Sequence, residues 1–401
     1  MADFYQDGIV AIFQNITRRP TEEIEAELEG FARDRPITLV LPALYREFTS
    51  GAMSNIVDQL KGAKYIKRIV VSLDGATREE FQRARKILSK LPQDLTVLWN
   101  DGPAMKKIYS LLDENDLLPV KHGKGRGVWA AMGYTIAMDD TLVIATHDCD
   151  IVNYARGMLA RLIYPVVHPG LPYEFSKGYY ARVTDRLYGR VTRLFYWPLI
   201  RALMRIIGHT PYLRYLNAFR YPLSGEFAMS RDLFRAIRFP GGWGLEVGVL
   251  SEVFMNTALS RIAQVEISET YEHKHQPLKS SRGSGGLVGM CVDITTTLLR
   301  TVAQGGYVFP GRFYKSLKIT YLREAYDSVD KYEGLALFNG LSYDRHEETS
   351  FIETFAEALD RGMEEFDLHP SGTPYLPSWA RVASAIPDFF SIYRDAVEGE
   401  N

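Results

Sequence analysis

Short apolar runs alternate with helix-forming stretches through the first 150 residues, and this rhythm constrains the fold more than any other feature of the chain. Residues 37–41, 69–73, 95–99 and 141–145 are strand-like, rich in Ile, Leu and Val. Between them lie helical patterns over residues 54–60 and 77–88, the second opened by a Thr77-x-x-Glu80 capping box, and a further helix from Val128 after the glycine-rich residues 123–127. Parallel strands need a crossover connection, and a helix provides it, so this alternation predicts an α/β fold: a Rossmann-like, mainly parallel sheet flanked by helices. In such sheets ligands gather beyond the carboxyl ends of the strands, where free backbone groups line a crevice. The loops that follow these strands are therefore the first place to look for chemistry.

The chain is expected to divide into residues 1–155, which carry these strand–helix units, and residues 156–290, which are less regular and include a strand over 262–267. Residues 291–401 form a helical extension, clearest over 351–363, which is expected to serve as a dimer interface or a lid. Residues 194–208 are the longest apolar stretch, but Pro198, Arg201 and Arg205 interrupt it, so it reads as an amphipathic helix rather than a membrane span. The 47 Lys and Arg against 49 Asp and Glu give a net charge of -2, which leaves no global field for nucleic acid or anionic lipid. Any anion site must then be local. Cys149 and Cys291 are the only cysteines, which excludes a disulfide framework, and the amino terminus carries no signal-peptide pattern; a cytoplasmic location is expected.

The sharpest chemical signal is Asp148-Cys149-Asp150, which follows the strand at 141–145. On its own Asp-x-Asp is a common turn and helix cap. At the end of a buried strand it presents two carboxylates to a hard divalent cation, Mg²⁺ or Mn²⁺, which can neutralise a diphosphate. His273-Lys274-His275 follows the strand at 262–267 and could add an imidazole. Residues 123–127 (Gly-Lys-Gly-Arg-Gly) offer backbone and cations for phosphate or ribose, although their spacing fits neither a Walker loop nor a dinucleotide fingerprint. Arg182, Arg186, Arg190 and Arg193 could bind a phosphorylated or carboxylated acceptor by forked hydrogen bonds; a solvated helix face explains them equally well.

Several segments, in order, resemble the glucosyl-3-phosphoglycerate synthase family and its mannosyl-3-phosphoglycerate relatives, retaining glycosyltransferases of GT-A fold. They are Leu41-Pro42-Ala43-Leu44, Gly123-Lys124-Gly125 before Trp129, Asp148-Cys149-Asp150, Gly189-Arg190-Val191-Thr192, Pro222-Leu223-Ser224-Gly225-Glu226, Gly244-Leu245-Glu246-Val247-Gly248, and Ile262-Ala263-Gln264-Val265 before His273. The likeness runs from about residue 39 to 290.

Carried over position by position, the resemblance implies that Pro42, Ala43, Leu44, Glu47, Asp74, Lys124, Asp148 and Cys149 bind the donor, with Asp150 and His273 on the metal. Gly189, Arg190, Val191, Thr192, Gly225 and His275 would hold the acceptor, and Glu246 and Asp148 would flank the transferred sugar. Cys149 stands where the family usually has Ser, and His275 where it has an acceptor-touching Asn. The implied activity moves glucose or mannose from UDP-glucose, GDP-glucose or GDP-mannose to 3-phosphoglycerate or glycerate in a homodimeric, compatible-solute or polysaccharide-precursor enzyme. A nucleotidyltransferase and a non-catalytic nucleotide-sugar-binding protein are the rivals. The first would carry a long glycine-rich loop at residues 41–45, and the second would have no need of Glu246 and Arg190.

Overall fold

Leu39 and Leu41 face one side of their strand and Val40 the other; Ile69 and Val71 alternate with Val70, and Val143 and Ala145 with Ile144, in the same way. Each side meets its own apolar core, so these strands are apolar at every position rather than at every second one. The computed structural model describes residues 6, 8–118, 123–242, 244–272, 286–371 and 375–400.

Among the described residues eight strands form one sheet: β1 (Ala11–Phe13), β2 (Ile37–Leu44), β3 (Ile66–Asp74), β4 (Asp94–Trp99), β5 (Val143–Thr146), β6 (Phe175–Ala181), β7 (Phe227–Ser230) and β8 (Ile262–Thr270). Their order is β1-β8-β6-β7-β5-β2-β3-β4, and strands from residues 1–155 and 156–290 share it. Only β7 runs antiparallel to its neighbours, β5 and β6; the other pairings are parallel, as a mainly parallel GT-A sheet requires. One edge of the sheet therefore collects the carboxyl ends of β2, β3, β5, β6 and β8 together with the amino end of β7. Glu47, Asp74, Asp148, Asp150 and Glu226 all lie along that edge because of where they stand in this order.

Two local expectations change. The strand at 37–41 extends to Leu44 and takes in Pro42, which is tolerated because β5 pairs with β2 only as far as Val40 opposite Thr146. Residues 123–127 are not a loose loop before a helix: the helix begins at Lys124 and runs Lys124–Ala137. Its glycines serve close approach, since a Cβ on Gly125 would stand 2.1 Å from the Pro240 carbonyl and one on Gly127 would stand 2.8 Å from Asp74 Oδ2. The capping box is present as read, with the Thr77 N–H donating to Glu80 Oε2 at 2.8 Å and the Glu80 N–H to Thr77 Oγ1 at 3.3 Å.

The carboxyl-terminal region is helical. The helices Gly286–Gln304, Phe313–Phe338 and Arg345–Leu368 pack on one another, and Trp379–Ala385 and Phe389–Glu398 return to the helix Lys124–Ala137. Gly286–Gln304 is long and apolar enough to cross a membrane, yet half of it is buried, with Cys291, Ile294 and Leu298 inside the core. Its apolar character is accounted for by packing.

Candidate active site

β5 delivers Asp148 and Asp150 to the middle of the carboxyl edge, and Lys124 meets them from the first turn of its helix. Lys124 Nζ donates to Asp148 Oδ1 at 2.7 Å and lies 3.5 Å from Glu246 Oε1. Glu246 is buried at the start of the helix Leu245–Asn256, where an acid also favours the helix dipole. Burial alone would lower the Lys124 pKa, but Asp148 and Glu246 outweigh it and the net shift is upward. Lys124 is therefore a fixed cation that joins the acidic loop to the far wall of the crevice.

Asp150 is pushed up to about 7 by burial first and then by Asp148, with Glu47 and Glu226 adding to the effect and Lys124 opposing it. A carboxylate raised by surrounding carboxylates marks surplus negative charge, and hard oxygens of this kind suit Mg²⁺ or Mn²⁺. Among the described residues no three His, Cys, Asp or Glu side chains converge as a complete ligand set. His273 and His275 lie outside the described residues. Burial, with the neighbouring Asp148 and Asp150, pushes the Cys149 thiol well up, so this side chain is a neutral core group and not a nucleophile.

Glu226, fully buried, organises the loop from beneath. Its Oε1 accepts from the Tyr271 hydroxyl at 2.7 Å and from the Asp148 N–H at 3.4 Å, and its Oε2 accepts from the Tyr180 hydroxyl at 2.9 Å. The Tyr180 and Tyr271 rings stack with centroids 3.7 Å apart. Gly225 is bare because a Cβ there would stand 2.5 Å from Asp148 Oδ2. Lys177, also buried, donates to the Ser224 carbonyl; burial lowers its pKa to about 8 against the pull of Glu246 and Glu226. This residue braces the turn that carries Gly225.

The other expected donor residues line the same edge. Pro42, Ala43 and Leu44 end β2, Glu47 is buried in the short turn Tyr45–Thr49, and Asp74 ends β3 against Gly127. Of the residues expected at the acceptor, Gly189 has a φ of 72° and leads through Arg190 into a π-helical turn, Val191–Tyr196, where Val191 and Thr192 are buried. Gly189 abuts Tyr221, whose ring lies 4.9 Å from that of Tyr180, so this turn adjoins the Glu226 network. Arg190 and Arg193 do not form a solvated face: both are paired with Glu348 of the carboxyl-terminal region.

A parallel sheet with one reversed strand, an Asp-x-Asp loop at its centre and a lysine and glutamate facing that loop define a metal-dependent GT-A glycosyltransferase. Over all 401 residues the chain is 51% identical to the glucosyl-3-phosphoglycerate synthase of Persephonella marina, with 100% of this chain and 99% of that one covered. It is 37% identical over 392 residues to the protein of the same name from Methanococcoides burtonii, with 96% and 95% covered. The chain belongs to the glucosyl-3-phosphoglycerate synthase family. No family model matches it. The crystal structure of glucosyl-3-phosphoglycerate synthase from Mycobacterium tuberculosis in complex with Mn²⁺, UDP-glucose and phosphoglyceric acid is similar with a TM-score of 0.54 and 26% identity, covering 73% of this chain and 88% of that one. The same enzyme with Mg²⁺ and UDP gives a TM-score of 0.55 at 25% identity, covering 73% and 87%.

Sequence reasoning passed over Lys177, Tyr180 and Tyr271. Glu226 stood at the end of a quoted motif, and an acid directly before the apolar residues 227–229 was a usable signal. The tyrosines had none, because their partner lies 45 or more residues away in the chain.

Proposed function

We propose that the protein transfers glucose from UDP-glucose to the free hydroxyl of 3-phosphoglycerate, with retention at the anomeric carbon. The observation that carries this reading is the Lys124 cation held between Asp148 and Glu246, 2.7 Å from one and 3.5 Å from the other. A leaving diphosphate needs positive charge fixed in advance, and a sugar between two carboxylates gains from the charge that develops on it. The bond from the anomeric carbon to the diphosphate breaks and the acceptor oxygen bonds to that carbon from the same face, its proton passing to the leaving phosphate oxygen. Lys124 binds the departing phosphate, Glu246 orients the sugar hydroxyls, and Asp148 positions sugar or ribose. When bound through Asp150, with His273 as the resemblance implies, a divalent cation supplies further neutralisation of the diphosphate. Pro42, Ala43, Leu44, Glu47 and Asp74 receive the nucleoside, while Gly189, Arg190, Val191, Thr192 and Gly225, with His275, hold the acceptor's anionic groups.

The Mycobacterium tuberculosis complexes with UDP-glucose and phosphoglyceric acid support UDP over GDP and 3-phosphoglycerate over glycerate. A cytoplasmic location fits two buried, free cysteines. A homodimer belongs to the same proposal, supported by the exposed Ile319, Leu337 and Phe338 on the helix Phe313–Phe338. The test is to incubate the protein and its Asp150→Ala variant with Mn²⁺ or Mg²⁺, UDP-, GDP- and ADP-sugars and each acceptor, and to read the products by mass. Metal-dependent glucosyl-3-phosphoglycerate from UDP-glucose, absent with the variant, is the expected result; donor hydrolysis or binding without product would overturn the reading.

A further inference from the structure

Glu347 and Glu348, adjacent on the first turns of the helix Arg345–Leu368, grip the same arginine in different ways. Glu348 is buried; its Oε1 accepts from Arg190 Nε at 2.9 Å and its Oε2 from Arg193 Nη1 at 2.7 Å. Its two partners and its burial make it structural, because removing it would take the counter-charge from the buried Arg193 and half of the pairing from Arg190. Glu347 is open to solvent, its side chain 42% exposed, and it reaches Arg190 Nη2 at 2.8 Å. The Arg190 guanidinium also lies 4.1 Å over the Phe351 ring, which fixes its plane. Nε and Nη2 together form one forked edge of a guanidinium, the edge that a phosphate or carboxylate takes in a bidentate pair. Here two glutamates divide that edge. Beside it opens a cleft of about 280 Å³ lined by Arg186, Arg190, Ser342, Asp344 and Glu347.

We propose that Glu347 sets the affinity for the acceptor: its carboxylate occupies the outer nitrogen of Arg190, and the acceptor's anionic group must displace it to bind. This inference rests on the reading that Arg190 receives the acceptor. Exchange is confined to Glu347, because an exposed ion pair holds weakly whereas Glu348 is buried between two arginines. The carboxyl-terminal region thus contributes a group to the acceptor side.

The test compares Glu347→Gln and Arg190→Lys with the unmodified chain. KM is measured for 3-phosphoglycerate and for UDP-glucose, the Ki of inorganic phosphate is measured against the acceptor, and thermal melting confirms folding. Glu347→Gln should lower both the acceptor KM and the phosphate Ki roughly fivefold, the scale of one exposed ion pair, and leave the donor KM where it was. Arg190→Lys keeps a charge for Glu348 but loses the fork, and should raise the acceptor KM at least tenfold. An unchanged or higher acceptor KM in Glu347→Gln, with Arg190→Lys impaired, would overturn the role of Glu347 and leave the acceptor reading standing. An unchanged acceptor KM in a folded Arg190→Lys would remove that reading and this inference together.

Discussion

The Lys124 ammonium stands 2.7 Å from Asp148 Oδ1, so the first turn of one helix and the loop after a central strand are joined by a charged contact at the mouth of the crevice. Lys124→Met should lower kcat/KM roughly 10²–10³-fold, the usual loss when one preorganised donor to a developing anion is removed. Steady-state kinetics with UDP-glucose check this. A loss confined to the donor KM would mean that Lys124 only binds the nucleotide.

Glu226 connects four parts of the chain through Tyr180, Tyr271 and the Asp148 N–H. Glu226→Leu would remove the buried acceptor that the Tyr180 and Tyr271 hydroxyls and the Asp148 N–H share. We expect a loss of roughly 2–4 kcal/mol in urea denaturation, with Tyr271→Phe losing about 1 kcal/mol, since orphaned buried polar groups cost more than a missing hydrogen bond. Equal losses for the two variants would mean that the network is not centred on Glu226.

The carboxyl-terminal helices hold the Lys124 helix in place. Trp379 stacks on Trp129 with centroids 4.0 Å apart and donates from Nε1 to the Trp129 carbonyl at 3.2 Å, while Trp129 Nε1 donates to the Pro377 carbonyl at 2.9 Å. Trp379→Ala should destabilise by roughly 3–5 kcal/mol, as other buried aromatic truncations do. Gly133→Ala is a second probe, since its Cβ would stand 2.0 Å from Trp379 Cζ2. Thermal melting reads both, and a wild-type midpoint for Gly133→Ala would show that the two surfaces are not in contact.

Much of this arrangement was legible in the chain. The strand–helix alternation specified a mainly parallel sheet because each unit is local, and Thr77 with Glu80 gave a helix start that the structure reproduces. Asp148 and Asp150 were legible because an acidic pair after a buried strand has little structural reason to be there. Lys124 was harder: its glycine neighbours suggested a loop, whereas they are bare so that Pro240 and Asp74 can approach a helix. The pairing of Arg190 with Glu348 was invisible, as it spans 158 residues and neither partner carries a local signature. β7 was missed for a related reason: four residues offer too short a pattern, and its reversal depends on neighbours found only in the folded sheet.

His147 offers a stability test independent of turnover. It is fully buried before the acidic loop, its ring meets Tyr154 edge-on at 5.5 Å, and neither ring nitrogen has a hydrogen-bond partner among the described residues. Burial lowers its pKa to about 3, from 6.5 in an unexceptional setting. Between those values the unfolded chain takes a proton that the folded one refuses, so the unfolded state binds more protons and stability falls as pH falls. The slope is about 1.4 kcal/mol per pH unit below 6.5, which amounts to roughly 2 kcal/mol between pH 7 and 5. His147→Phe keeps an aromatic ring against Tyr154 and cannot titrate, while the other histidines and the carboxylates are common to both proteins and cancel in the difference. Urea denaturation at the two pH values should therefore show the variant gaining about 2 kcal/mol on the wild type as pH drops. A difference that stays constant would mean that His147 accepts its proton in the folded state, through a partner or an opening of the loop that admits water.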